Sequence, residues 1–195
     1  MLSGNRQTME TKEKEEYGVV LDYLPNGYPF DSRPSHRKTA IVQAIGAQKF
    51  VLLELAPKKE AAAMQPGKRI YIGEGKRDEI HHIVGKLPYN KLTTTAKAEL
   101  QYIIDDIIKQ NEKQFVDFFN EARPLSTRMH QLELLPGLGK KHMWEIINAR
   151  EEKKFESFDD IKKRVKLLPD PKKAVIKRIL KEIEGDEKHR LFVDN

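Results

Sequence analysis

The sequence predicts an α+β protein in which a small β-barrel is followed by a helical domain built on two helical hairpins. Three observations carry this. Between Tyr17 and Leu87 the chain holds five short β-branched or aromatic runs, separated by Gly, Pro, Asn and charged turns. From Thr93 the apolar spacing changes to that of a helix. From Leu132 to Arg150 two helical pieces meet at a Pro136-Gly137 break, and a worn copy of the same unit follows. The expected divisions are a disordered tail over 1–16, a barrel over 17–92, a helical domain over 93–185 and a C-terminal tail over 186–195.

Composition limits the chemistry. The 195 residues contain no cysteine, which removes disulfides, thiolate metal sites and cysteine nucleophiles, and 38% hydrophobic content is enough for a core without them. No apolar run approaches the roughly 20 residues that span a bilayer, and the N-terminus is charged where a signal peptide is apolar, so a cytoplasmic protein with no membrane partner is expected. The net charge of +6 suits an acidic partner. Its distribution says more. From Gly137 to Gly185 there are 14 Lys and Arg against 9 Asp and Glu, whereas residues 93–136 hold 5 against 7, so basic charge gathers on the hairpin half.

Taken in order, residues 1–16 are polar without periodicity. The five expected strands cover Val19 to Tyr23, Ala40 to Ile45, Phe50 to Leu55, Arg69 to Ile72 and Ile80 to Leu87. Between the first two lies a long loop, Pro25 to Lys38, with Tyr28, Phe30, Arg33, His36, Arg37 and Lys38. Aromatic rings stack on bases and cations follow phosphates, so this loop is one candidate contact surface. Alternatively, the two rings plug the barrel end and the cations are simply solvated. His81 and His82 are adjacent on an expected strand and should face opposite ways, and no third ligand is suitably spaced, which argues against a metal. Asp105-Asp106 and Asp159-Asp160 are likewise poor carboxylate pairs, because helix neighbours do not share a face.

Thr93, Thr94 or Thr95 can cap a long helix carrying Leu100, Ile103, Ile104, Ile107 and Ile108 on one side. Phe115, Val116, Phe118 and Phe119 continue an apolar patch up to Arg123-Pro124, and Ser126 or Thr127 is expected to start the first hairpin helix. In the hairpin, Gly137 and Gly139 permit backbone conformations closed to other residues and leave bare amides at a new helix start. Those donors and the positive end of the helix dipole favour a phosphate, and Lys140 and Lys141 add two cations. Aligning Pro169 with Pro136 gives the second copy, which Ser157 and Asp160 introduce as a capping pair. It has Asp170 and Pro171 where the first has its glycine-bearing start, so it is expected to support the fold, with Lys172 and Lys173 at most peripheral. Leu191 to Val193 either returns as a strand or frays.

Leu135, Pro136, Gly137, Leu138, Gly139 and Ile146 resemble the consensus of a helix-hairpin-helix nucleic-acid-binding module, departing from it at Met143 where that family usually has Ala; the longer side chain is expected to disturb the close crossing of the two helices. Pro66 to Gly73 resembles a strand of an oligonucleotide-binding barrel. Barrel, hairpin, the Phe155 to Ile161 helix start and the degenerate second hairpin together resemble an uncharacterised archaeal family of predicted RNA-binding proteins, domain of unknown function 655. The resemblance implies an oligonucleotide-binding-like barrel joined to a tandem helix-hairpin-helix domain. It also implies a nucleic-acid partner, RNA before DNA, in a setting of translation or ribosome biogenesis with ribosome-associated partners. The expected contact residues are Gly137, Leu138, Gly139, Lys140 and Lys141 of the hairpin, and Tyr28, Phe30, Arg33, Arg37 and Lys38 of the loop. No cofactor, metal or catalytic residue is expected. The competing readings are a DNA repair enzyme or nuclease, against which stands the lack of an acid/base pair, and a protein-interaction module.

Overall fold

The computed structural model describes residues 14–185 and 187–194, so most of the expected N-terminal tail lies outside the described residues. Its last positions are structured. The Glu15 carboxylate accepts from the amides of Gln48 and Lys49, and the Glu16 carbonyl accepts from those of Ile72 and Gly73.

Among the described residues, five strands form one antiparallel sheet: β1 (Tyr17–Leu24), β2 (Ile41–Gly46), β3 (Leu52–Pro57), β4 (Arg69–Tyr71) and β5 (Ile80–Lys86). Their order is β4-β1-β2-β3-β5, each within a residue or two of its expected place. The sheet curls into a half-barrel, because Ile70 and Ile72 at one edge and Ile80 at the other join a single cluster with Val20, Val42, Ala44, Leu53, Leu55 and Met64. The other face packs on helices through Val19, Leu21, Ile45 and Leu52. Both faces are thus covered, which explains why β1 reads as a continuous apolar run and not an alternation.

A bulge between Val20 and Asp22 lets Asp22 pair with Gln43. These two side chains hold the helical domain to the sheet. Thr93 donates its hydroxyl to Asp22 (2.6 Å) and its amide to the fully buried Gln43 (3.0 Å), while its Oγ1 caps α1 (Thr94–Gln110) by accepting from Ala96. Of the three threonines only Thr93 is the cap. Helix α1 buries the five apolar residues expected of it, and α2 (Glu112–Glu121) buries Phe115, Val116 and Phe119.

The run from Ser126 is not a helix. Pro124–Ser126 forms β6 and pairs with β7, Met129–His130. What remains before the break is one 3-10 turn, Gln131–Leu134, capped by His130 and Glu133. Pro124 favours extended backbone, and too few residues separate His130 from Pro136 for an α-helix. The chain then forms α3 (Lys140–Glu152), α4 (Phe158–Arg164, capped by Ser157) and α5 (Pro171–Glu184).

The C-terminal segment neither adds a strand nor frays. The Glu182 carboxylate on α5, 0% exposed, accepts from the amides of Leu191, Phe192 and Val193 and from Arg178 Nε at 2.7 Å. Arg178, itself 2% exposed, also donates to the carbonyls of Leu134 and His189. Phe192 then packs against Phe115 and Phe118. Removing Glu182 leaves Arg178 with only the less buried Glu187, at 3.3 Å, as a carboxylate partner among the described residues, and leaves three tail amides without their acceptor. We therefore expect Glu182→Ala to lower unfolding free energy by about 3 to 5 kcal/mol in urea and to open the tail to proteolysis. An unchanged urea midpoint would count against this role.

Candidate functional site

The first hairpin is fixed from below and open above. Leu135 and Leu138 are buried, and the Leu138 amide donates to the Leu135 carbonyl at 3.1 Å. Leu138 therefore offers an approaching ligand neither side chain nor amide, and its place in the hairpin is that of an anchor. Gly137 has φ +86°, and a Cβ there would lie 3.4 Å from Pro169 Cγ of the second hairpin. The left-handed turn favours glycine, while the Pro169 contact would still leave a Cβ at ordinary van der Waals distance.

Gly139 is the N-cap of α3 and brings no side chain to it; no side chain caps this helix, and its first turn holds no acid. A Cβ at Gly139 would meet nothing within 4 Å. By contrast, Thr93, Ser157 and Asp170 each cap their own helix. Lys140 is exposed without an ion pair among the described residues, and Lys141, 76% exposed, reaches Glu145 only at 4.0 Å. Positive dipole end, bare amides and two cations thus coincide at one open surface. Met143 and Ile146 are buried beneath it, so the longer side chain at Met143 fills the seam between the elements.

Trp144, the only tryptophan of the chain, is 58% exposed and lies one turn beyond Lys140. Sequence reasoning gave it no role. The available signal was spacing, since Met143 and Ile146 set the inward face of α3 and Trp144 does not share their three-residue step.

The second hairpin is closed by its own residues. Asp170 accepts from the Lys173 amide (3.0 Å) and pairs with Lys162 (2.9 Å), and Lys172 pairs with Asp105 (2.9 Å). Burial pushes the Asp170 carboxyl up, but the Lys173 amide and the Lys162 ammonium more than offset this and leave it below the usual range. The repeat's register also needs correcting. The left-handed turn residue is Gly137 in the first hairpin and Leu167, φ +61°, in the second, so the turns align Leu167 with Gly137, not Pro169 with Pro136.

In the Pro25 to Lys38 loop the two rings have different roles. The Tyr28 hydroxyl donates to Glu54 at 2.6 Å and accepts from Gln43 at 3.2 Å; burial, then the Glu54 bond, push it up to about 12. Tyr28 is thus a pin holding the loop on β2 and β3. Phe30 stacks on it with centroids 5.0 Å apart and planes at 10°, and is 77% exposed. Arg33 is committed to Asp31, whose carboxyl its guanidinium holds down at about 2. Arg37 is exposed without an ion pair among the described residues, and Lys38 is half-buried.

The two histidines of β5 do not face opposite ways. The β3–β5 register shifts between Ala56 and Pro57, which leaves His81 unpaired, and the rings lean together with their Nδ1 atoms 2.8 Å apart. Among the described residues no third metal-ligating side chain joins them.

Among the described residues a curled five-strand antiparallel sheet carries five helices, and α3 begins without a side-chain cap beside the exposed Lys140 and Lys141. The family model described as "Protein of unknown function (DUF655)" matches residues 14–194, and the chain belongs to that family. It is 44% identical over 196 aligned residues to an uncharacterized protein of Methanocaldococcus jannaschii, covering 97% of this chain and 87% of that protein. The crystal structure of a DUF655 protein from Archaeoglobus fulgidus is similar with a TM-score of 0.85 and 48% identity, covering 92% of this chain and 100% of that one.

His130 gives the site a pH dependence. Its Nδ1 accepts from the Leu132 amide at 3.1 Å, which needs the neutral ring, and burial, then the Arg150 charge, hold its pKa below the usual 6.5. A histidine depressed in the folded state contributes stability that is present above its unfolded pKa and lost as pH falls through the folded value. The urea midpoint should therefore drop between about pH 7.5 and pH 5.5, and drop less in His130→Asn, where the cap does not titrate. Equal pH dependence in the two proteins would remove His130 from this account.

Proposed function

We propose that this protein is a non-enzymatic nucleic-acid-binding protein with RNA as its preferred ligand, serving translation or ribosome biogenesis. The start of α3 acts as a phosphate clamp. The observation that carries this reading is the contrast among helix starts. Thr93, Ser157 and Asp170 satisfy theirs with their own side chains. Helix α2 also lacks a side-chain cap, but it follows α1 directly and carries Glu112 in its first turn. Gly139, by contrast, leaves donors open beside Lys140 and Lys141 with no acid in the turn. We read the two turns as a helix-hairpin-helix pair, one binding and one self-capped. The strand order, with β1 paired to both β2 and β4, supports an oligonucleotide-binding-like barrel opened between β4 and β5. On this reading Phe30, seated on the pinned Tyr28, is the stacking ring, and Arg37 and Lys38 follow the backbone. Such contacts to phosphate and base faces position a strand without reading its sequence.

Exposed Leu125 and Met129 on β6 and β7 favour a rival, docking of a protein partner. Salt separates the two, because displacing counterions from phosphates makes binding steeply salt-dependent and apolar docking does not. We expect Lys140→Glu with Lys141→Glu to keep the fold, weaken binding of a labelled RNA stem–loop at least tenfold, and reduce the slope of log K against log salt by about 1 to 2. The same change at Lys172 and Lys173 should cost clearly less, since Lys172 already pairs with Asp105. Undiminished affinity in the folded Lys140/Lys141 variant would sink the clamp.

A further inference from the structure

The second hairpin, closed to phosphate, carries a side chain that its own folding does not require. Leu167 is the most exposed large hydrophobic residue among those described, at 87%, and its backbone is left-handed with φ +61°. Glycine adopts that backbone without cost and any residue with a Cβ does not. The first hairpin uses Gly137 at the same point. Leu167 therefore incurs two costs, a left-handed backbone and an apolar side chain in water, with no packing to offset either. A strained, exposed position held by rigid surroundings points to a contact made outside the molecule.

The surroundings are rigid and basic. Val165 is 2% exposed and Leu168 packs against the same core, so the turn is anchored on both sides of Leu167. Pro169 lies against Gly137, which sets the two turns side by side at one end of the helical domain. Lys163, Lys166 and Lys173 are exposed and without ion pairs among the described residues, with Lys140 and Lys141 on the neighbouring hairpin. A turn with an apolar tip and exposed lysines on its flanks complements a polyanion that shows some apolar surface, such as ribose C–H faces, between its charges. A duplex groove has that form, and in RNA the minor groove is shallow enough for a short turn to reach ribose and base edges.

We propose that Leu167 is an apolar contact residue that lies in the shallow groove of an RNA duplex, between the phosphates that the lysines hold. This rests on the nucleic-acid reading above, and gives the second turn a task other than phosphate binding.

The test uses the intact chain, a labelled RNA stem–loop, thermal unfolding and titrations at several salt concentrations. Leu167→Gly should unfold at the same or a higher temperature, because glycine accepts the backbone, yet bind about tenfold more weakly. Its salt slope should not change, since no cation is removed. Leu167→Met, which keeps apolar surface, should retain affinity. Unchanged affinity in Leu167→Gly while the Lys140/Lys141 variant weakens would overturn this inference alone. Unchanged affinity in both would overturn the clamp and this inference with it, and absence of RNA binding by the unaltered chain would overturn the nucleic-acid reading. A lower unfolding temperature for Leu167→Gly would also overturn it, because the side chain would then be packing within the protein.

Discussion

The buried Arg178–Glu182 pair is the constraint on which the helical half depends. Both groups sit on α5, one turn apart, and neither satisfies its bonding there alone. Arg178 reaches the Leu134 carbonyl below the first hairpin and the His189 carbonyl of the tail, while Glu182 gathers three successive tail amides. One ion pair thus ties α5 to the first hairpin, 44 positions away at Leu134, and to the tail that follows the helix. Such a pair is costly to bury, and the Leu134 and His189 carbonyls, Glu187 and three tail amides offset that cost.

From that anchor the asymmetry of the hairpins follows. The first is held beneath by Arg178, at its entry by the His130 cap and at its flank by Pro169, so its outer face needs no side chains for support. Gly139 can then leave the start of α3 open. The second carries its own carboxylate, and Asp170 closes α5 as fully as Ser157 closes α4. The two hairpins thus lead into one helix start without a side-chain cap and one that its own carboxylate closes. The same economy of polar anchors operates at the sheet, where Gln43 and Asp22 fix the start of α1 and Gln43 also steadies Tyr28.

What could be read from sequence was local. The strands, the Thr93 cap, the apolar face of α1 and the Pro-Gly hairpin depend on periodicity and short-range chemistry, and they lie where the pattern puts them. The failures involve partners that periodicity does not reveal, whether near or far along the chain. Ser126 looked like a helix start, but Pro124 pairs with His130 instead. Tyr28 and Phe30 looked equivalent until Glu54, 26 positions from Tyr28, separated a pin from an exposed ring. Leu191 to Val193 suits either a strand or a frayed end by sequence, yet its amides go to one carboxylate on α5. A β-bulge, invisible to alternation, turned His81 toward His82. At the candidate site the motif located the bare helix start, while the inward turn of Leu138, the exposure of Trp144 and the left-handed Leu167 needed the fold.

The central claim, that a phosphate sits on the amides at the start of α3, is tested most directly by following backbone amide resonances while an RNA stem–loop is titrated into the intact protein. The account predicts that the amides of Gly139, Lys140 and Lys141 shift early and saturably, while those of Lys172 and Lys173, behind the Asp170 cap, stay nearly still. Equal movement at both helix starts, or none at the first, would contradict it.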